Sequence, residues 1–146
     1  KHIDIACDLQ PKLPSIWADP HQIKQVLLNV LLNAIQALPS EGGTIRVSSR
    51  VENSTELSTV VLEVFDSGKG IEDGVMEHIF DPFFTTKDVD RGTGLGLSVA
   101  YGIVETHGGS IKADSREGEG SLFEVTLPAT HPMRGNGYGK NIQSSV

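Results

Sequence analysis

"DRGTGLGLSVAYGIVETHGG" (90–109) places glycines at positions 92, 94 and 96, directly before a segment with helical spacing. Glycine disfavours a helix interior, so a cluster at a helix start needs a physical reason. Gly94 and Gly96 fall where the first N–H groups of a helix are unpaired and the helix dipole favours an anion. The segment is not a P-loop, because no G-K-[ST] follows the glycines. It is not a Rossmann fingerprint either, because no strand precedes it. The segment is therefore either an ordinary loop end or a backbone site for a negatively charged group.

Upstream, "DPHQIKQVLLNVLLNAIQAL" (19–38) predicts a long helix. Asp19 suits the N-cap and Pro20 the first helical position, and Gln22 is expected to complete a capping box. The apolar residues at helical spacing predict a broad core face. They are Ile23, Val26, Leu27, Val30, Leu31, Ala34 and Leu38.

Leu28, Leu32 and Ile35 extend apolar character to the other side of this helix, which predicts that the helix is largely covered. The remaining surface of this helix carries a line of uncharged amide side chains, whereas a solvated helix face normally carries Lys and Glu. Its members are Gln22, Gln25, Asn29, Asn33 and Gln36. The line either borders something polar other than bulk water or is an ordinary exposed stripe. In the first case the amide oxygen of Asn33 suits a hard cation such as Mg²⁺.

Two further segments carry candidate functional residues. "VVLEVFDSGKG" (60–70) is an apolar strand ending in Asp66, which could accept a hydrogen bond from a ligand amino group. Gly68 and Gly70 would let a ligand approach the backbone, although D-S-G is also a common turn. "DPFFTTK" (81–87) places two phenylalanines in a loop, either to anchor it or to dock against a partner, and Lys87 could meet a phosphate.

Composition limits the possible functions. The 146 residues, 38% of them hydrophobic, suffice for one domain with a core, and the net charge of −7 argues against nucleic-acid binding. There is no run of membrane-spanning length, and we expect no signal peptide, because Lys1 leads directly into an alternating segment. A single cysteine, Cys7, allows no internal disulfide and suits a reducing, cytoplasmic compartment. Because no methionine begins the chain, we expect a piece of a longer protein.

The remaining pattern predicts an α+β two-layer sandwich of one domain over residues 1–128, followed by a Gly- and Ser-rich tail over 129–146. Besides the helix over 19–38, helices are expected over 72–80 and 95–106. The expected strands cover residues 2–9, 44–52, 59–66, 110–115 and 121–128.

The order of these segments resembles the ATP-binding domain of sensor histidine kinases. "NVLLNA" (29–34) resembles the N box, "DSGKG" (66–70) the first glycine box, "DPFFTTK" (81–87) the F box and "GTGLGL" (92–97) the second glycine box. The residues of these segments are most similar to those of nitrogen-regulation-like kinases. The resemblance implies a Bergerat fold, a mixed sheet of about five strands under three helices, shared with DNA gyrase, heat-shock chaperone and mismatch-repair ATPases.

The resemblance also implies the residues that hold ATP and Mg²⁺. Asp66 would bind the adenine amino group in a base pocket shaped by Gly68 and Gly70, and Ile71 is a further implied nucleotide-binding residue. Asn33 would be the Mg²⁺ ligand, with Asn29 on the same helix face. The other implied nucleotide-binding residues are Thr86, Lys87, Thr93, Gly94, Leu95, Gly96 and Leu97, and residues 94–96 would cradle phosphates through backbone amides. Lys87 would approach the terminal phosphates, residues 81–94 would form a lid, and Asn29 and Lys87 are the catalytic candidates.

Position 29 separates two enzymatic functions. The hydrolytic relatives carry a glutamate there as general base, whereas an amide has no useful basicity. The resemblance therefore favours a kinase module that transfers the γ-phosphoryl group of ATP to a histidine on a separate dimerisation domain. In the family, the acceptor histidine is usually followed by an acidic residue, and none of this chain's histidines is. The residues that follow them are Ile3, Gln22, Ile79, Gly108 and Pro132.

The implied partners are the dimerisation domain, a response regulator and ATP or ADP, in a parent protein that can be membrane-anchored. The isolated module is expected to be a monomer without direct membrane contact. A weak ATPase and a nucleotide-dependent interaction module are the alternatives. Phosphoryl transfer to a supplied dimerisation domain would exclude the interaction module.

Overall fold

The computed structural model describes residues 1–54, 57–86 and 94–129. Five strands form one mixed sheet in the order β1-β2-β3-β5-β4, in which β1 is parallel to β2 and every other pair is antiparallel. The strands are β1 (His2–Leu9), β2 (Gly42–Asn53), β3 (Ser58–Asp66), β4 (Ser110–Arg116) and β5 (Gly120–Pro128). The helices are α1 (Pro20–Ala37), α2 (Asp73–Met76) and α3 (Gly96–Thr106). The predicted α+β sandwich is confirmed.

The core lies between one face of the sheet and the helices α1 and α3. Both helices contribute small or β-branched residues, which allow close approach to the sheet. The fully buried members include Val26, Val30, Ala34, Ala100, Val104, Ile45, Val64 and Phe123. The core face predicted for α1 is confirmed at Val26, Val30, Ala34 and Leu38, which are at most 4% exposed.

The opposite face of the sheet is polar and centres on Arg50. Its guanidinium lies 2.7 Å from a carboxylate oxygen of Glu52 and 3.1 Å from one of Glu124, and it also pairs with Glu63. These residues come from three adjacent strands, β2, β3 and β5. This polar network lies on the face away from the helices, whereas the hydrophobic core cluster lies on the helix side.

The start of α1 differs from the prediction in one bond. Asp19 is the N-cap, and its Oδ1 accepts hydrogen bonds from the N–H groups of His21 (2.8 Å) and Gln22 (3.4 Å). The backbone N–H of Asp19, however, donates to Nε2 of His107 at 3.1 Å. Since that group is taken by His107, the predicted capping box with Gln22 is wrong in its second half. Nδ1 of His107 lies 2.7 Å from the carbonyl oxygen of Ile103, so His107 ends α3 and contacts the start of α1.

Two other expectations need correction. Leu28 and Leu32 are 53% and 51% exposed, so α1 is not covered all round, because the sheet and α3 pack against only part of its surface. The helix predicted over 72–80 is formed only at Asp73–Met76. Beyond it, the N–H of His78 bonds to the carbonyl of Val75 and that of Asp81 to the carbonyl of His78. These i→i+3 hydrogen bonds, typical of 3₁₀ turns, replace the helical pattern.

In the residues that the structure describes, no helix has both the length and the apolar character needed to cross a membrane. The last strand ends at Pro128. Residues 130–146 lie outside the described residues, so the predicted tail over 129–146 stays a prediction, as does the domain boundary at 128.

Candidate nucleotide-binding site

A cavity of about 450 Å³ opens between α1, the loop after β3, the loop after α2 and the start of α3. These elements come from separate parts of the sequence, and the packing of α1 and α3 on the sheet brings them together. The cavity is lined by eight of the residues predicted to bind nucleotide. They are Asn29, Asn33, Gly70, Ile71, Thr86, Gly94, Gly96 and Leu97.

The other predicted site residues are placed differently. Asp66 and Gly68 lie at the end of β3 and directly after it, and neither they nor Leu95 are among the lining residues. Lys87 and Thr93 lie outside the described residues, as does half of the predicted lid over 81–94, namely residues 87–93.

The amide line on α1 borders this cavity over its second half. Asn29, Asn33 and Gln36 line it, whereas Gln22 and Gln25 are exposed. The amide Nδ2 of Asn29 donates to the carbonyl oxygen of Gly96 at 2.8 Å, and its Oδ1 accepts from Nε2 of Gln25 at 2.9 Å. Asn29 therefore joins α1 to the first residue of α3.

Asp66 is fully buried, which is unusual for a carboxylic acid. Its Oδ1 accepts a hydrogen bond from the N–H of Gly68 at 2.9 Å. Its Oδ2 is also buried and has no hydrogen-bond partner within the described ranges. Burial raises the pKa of this carboxyl, against the opposing effect of backbone N–H groups of Gly68 and Ser121. Oδ2 of Asp66 is therefore a buried acceptor atom without a partner in the described part of the chain.

The glycines fall into two groups. A Cβ on Gly68 would lie 2.5 Å from Oδ1 of Asp66. Gly70 has φ +70°, and a Cβ on it would lie 2.0 Å from the carbonyl oxygen of Arg116, so no side chain fits there. Packing inside the protein explains both. At Gly96, by contrast, the nearest atom to a Cβ would be Cγ of Asn29 at 3.8 Å. A Cβ there would make only ordinary van der Waals contacts, so packing does not require glycine at position 96.

The two phenylalanines of the F-box-like segment point in different directions. Phe84 lines the cavity, and its ring centroid lies 5.6 Å from that of His78. Phe83 is 76% exposed at φ +65°, and its N–H donates to the carbonyl oxygen of Gly94 at 3.0 Å. One ring therefore anchors the loop, as the first interpretation expects, and the other is available to a partner, as the second expects.

Sequence reasoning missed several cavity residues. They are Lys69, Glu72, Val75, Ile79, Glu117 and Ser121. Lys69 could have been found, because it lies inside the D-S-G-K-G segment. Glu117 and Ser121 belong to the β4–β5 hairpin, where the N–H of Gly118 bonds to the carbonyl oxygen of Lys69 at 2.7 Å. No local pattern announces that this hairpin closes the cavity, since the contact depends on the order of strands in the sheet.

Comparison with known proteins agrees with the site. The family described as "Histidine kinase-, DNA gyrase B-, and HSP90-like ATPase" matches residues 18–131. The sensor histidine kinase ZraS of Escherichia coli K12 is 46% identical over 128 residues, covering 88% of this chain and 26% of ZraS. Sporulation kinase E of Bacillus subtilis is 39% identical over 127 residues, covering 87% of this chain and 16% of that kinase. The chain thus spans about a quarter or less of these relatives.

Solved structures show the same fold. The nucleotide-free catalytic domain of histidine kinase ThkA has a TM-score of 0.73 at 39% identity and covers 88% of this chain and 82% of its own. Full-length ShkA in complex with AMPPNP has a TM-score of 0.72 at 28% identity, over 86% of this chain and 25% of its own. These likenesses confirm the Bergerat fold expected from the sequence. The chain belongs to the family of histidine kinase-, DNA gyrase B- and HSP90-like ATPases, as an ATP-binding catalytic domain of the histidine-kinase type.

Proposed function

We propose that this chain holds Mg-ATP in the cavity beneath α1 and donates the γ-phosphoryl group to a histidine on a separate dimerisation domain. The observation that carries the proposal is the convergence of residues from all four family motifs on one site. The N-box and second-glycine-box residues share one wall, where Asn29 bonds to Gly96. The first-glycine-box and F-box residues supply the rest of the lining.

The base of the nucleotide would bind at the Asp66 end. The buried Oδ2 of Asp66 has no partner in the described part of the chain, and an adenine amino group is a donor of suitable chemistry. Ser121, which pairs with Asp66 across the sheet, lines the cavity and connects Asp66 with it. Gly70 and Ile71 form the adjoining wall of this base pocket.

The phosphates would bind at the start of α3. Gly94 and Gly96 line the cavity there, and the helix begins without an N-capping side chain, so its first N–H groups are not occupied by one. Lys87 and Thr93 are proposed at this end from the motif resemblance alone. Leu95 and Leu97 flank the glycines, and Thr86 lies on the facing loop.

Magnesium is proposed to bind through Asn33. The cavity wall offers an amide oxygen there, a hard ligand, and the described residues contain no cluster of three or more His, Cys, Asp or Glu side chains fit for a metal ion. That donor set fits Mg²⁺, which proteins commonly hold through one or two oxygen ligands together with substrate phosphates. When bound, the ion would neutralise phosphate charge, and Asn33 would position it.

The chemistry and the hydrogen bonds of the Asn29 side chain favour phosphoryl transfer to a histidine over hydrolysis of ATP. Its amide is not basic, and both its polar atoms are engaged, with Gln25 and Gly96. Without a general base at position 29, the residues proposed for this site supply alignment and charge neutralisation, which suffice for transfer to a positioned acceptor. The acceptor domain and a response regulator are the proposed partners, the isolated chain is proposed to be monomeric, and the nitrogen-regulation-like subgroup stays a prediction.

A chimaera tests the transfer. We expect that ZraS in which residues 1–128 of this chain replace the aligned catalytic region becomes phosphorylated on histidine when given ATP labelled at the γ-phosphate. The isolated chain should bind ATP but remain unlabelled. The same chimaera with Asp66→Asn is the control and should stay unlabelled. A folded chimaera that binds ATP and releases phosphate without labelling its histidine would contradict the proposal and favour a weak ATPase.

The role of Asn33 predicts a specific change in Mg²⁺ dependence. In Asn33→Ala, ADP affinity measured by calorimetry with Mg²⁺ should fall about tenfold, to the value measured without Mg²⁺, because the protein's oxygen ligand to the ion is lost. Affinity without Mg²⁺ should not change. Gln22→Ala removes an amide from the same line outside the cavity and should leave both affinities at their normal values. A full Mg²⁺ effect in Asn33→Ala would refute the ligand assignment.

A further inference from the structure

Three polar side chains lie side by side on the helix-facing side of the sheet. Asp66 of β3 pairs with Ser121 of β5, and Ser121 pairs with Ser115 of β4. Paired residues of antiparallel strands project to the same face. Ser121 is only 3% exposed and lines the cavity, whereas Ser115 is half-buried behind it. The row therefore runs from the proposed base site to a hydroxyl that does not itself line the cavity.

The hydroxyl of Ser115 has three neighbours. Its Oγ accepts a hydrogen bond from the N–H of Ile71 at 2.9 Å and lies 2.8 Å from the carbonyl oxygen of Gly120 and 3.1 Å from Oγ of Ser121. A hydroxyl has one proton and two lone pairs. The carbonyl oxygen of Gly120 can only accept and is the nearer neighbour, so it receives the Ser115 proton.

This assignment fixes the direction of the bond between the two serines. Because the Ser115 proton is used on Gly120, the contact with Ser121 is a hydrogen bond only if Ser121 donates. The proton of Ser121 then points at Ser115, and Ser121 can present only lone pairs to the cavity. Beside it, Oδ2 of Asp66 is a second acceptor without a partner in the described residues. The base end of the cavity therefore has an acceptor in its wall, the hydroxyl of Ser121, and a second acceptor buried beside it, Oδ2 of Asp66.

We propose that Ser115 is a positioning residue that makes the nucleotide site select a purine with a 6-amino group over one with a 6-oxo group. An amino group offers protons to both acceptors, whereas a 6-oxo group presents lone pairs against lone pairs. This inference rests on the proposed nucleotide site. It adds a residue that none of the four motifs contains and that sets the selectivity through the hydroxyl of Ser121.

The experiment compares ADP with inosine diphosphate, which differs at position 6 of the base by an oxo group and the adjoining ring proton. Calorimetric affinities of both are measured for the unaltered chain, Ser115→Ala and Ser115→Thr. In Ser115→Ala the hydroxyl of Ser121 is free to turn and donate to the oxo group. The ratio of ADP to inosine diphosphate affinity should fall about tenfold. Ser115→Thr retains the hydroxyl and should retain the ratio.

The ratio separates positioning from a structural effect. Ser115→Ala also leaves the N–H of Ile71 without its acceptor. If the variant acted only through such a structural loss, the affinities for both nucleotides would fall equally and their ratio would not change. That result would overturn the inference. In a Ser121→Ala background the ratio should already be low, and adding Ser115→Ala should not lower it further; a further fall would also overturn it. If the unaltered chain binds neither nucleotide, the proposed function itself fails. Circular dichroism confirms that each variant is folded.

Discussion

Asp66→Asn is expected to lower ADP affinity at least about a hundredfold while the chain keeps its fold. The substitution changes little volume but places an amide N–H₂ where Oδ2 now lies, and Oδ2 is the buried acceptor without a partner in the described residues. An adenine amino group would then face a donor instead of an acceptor. Losing a charge-assisted hydrogen bond and burying mismatched donors together cost about 3 kcal/mol, which corresponds to that factor.

The matched control is Asp114→Asn, which makes the same chemical change at an exposed position of β4. It should bind ADP with unchanged affinity in the same calorimetric titration. If Asp66→Asn bound ADP as tightly as the unaltered chain, the base would have to sit elsewhere in the cavity. The assignment of Asp66 would then be wrong even though the family is not in question.

The same variant has an expected effect on stability, with a definite dependence on pH. Burial raises the pKa of Asp66 in the folded state, so its contribution to stability is full below the unfolded pKa and is lost as pH rises through the folded pKa. Asparagine does not titrate. The ligand-free Asp66→Asn chain should therefore gain stability relative to the unaltered chain as pH rises through that range. Urea unfolding at acid and neutral pH, without nucleotide, measures the difference.

Gly70→Ala is expected to reduce the unfolding free energy by about 3 kcal/mol or more, the largest stability loss among the variants considered. A left-handed conformation costs an L-residue about 1–2 kcal/mol, and Gly70 has φ +70°. The added Cβ would also lie 2.0 Å from the carbonyl oxygen of Arg116, a backbone atom that cannot rotate away. The β4–β5 hairpin would have to shift, and ADP affinity should fall with it.

Gly102→Ala provides the control for this prediction. Gly102 lies inside α3, and a Cβ there would meet nothing within 4 Å. Alanine is a better helix former than glycine, so this variant should gain up to about 1 kcal/mol. Urea unfolding followed by circular dichroism measures both variants. Equal effects at positions 70 and 102 would mean that the hairpin contact does not constrain the glycine loop.

The sequence predicted the elements better than their contacts. Strong local signals account for this success: the alternation in β1 and β5, and the Asp-Pro start of α1, gave bounds within about two residues of those observed. Contacts made between distant segments were not visible in the sequence. His107 takes the backbone N–H of Asp19 that the local rule had given to Gln22, because α3 ends beside the start of α1.

The candidate site shows the same division. Motif reasoning found the residues of α1 and the glycine loops that line the cavity, because function constrains those residue types at fixed spacing. Glu117 and Ser121 were missed, since only the order β3-β5-β4 brings their hairpin against the loop after Asp66. The exposed Leu28 and Leu32 were misjudged because periodicity tells which residues share a helix face, not how many neighbours the helix has.

The two hydrogen bonds of Asn29 have an evolutionary consequence. The hydrolytic relatives that this chain resembles carry a glutamate at the same place, and a carboxylate cannot donate to the carbonyl oxygen of Gly96 as the amide of Asn29 does at 2.8 Å. A single mutation towards a water-activating base would therefore set two oxygens against each other where α1 meets α3. Such a mutation would cost the one hydrogen bond between Asn29 and Gly96, although α3 would stay packed in the core, so the two activities differ by a structural cost as well as a catalytic group.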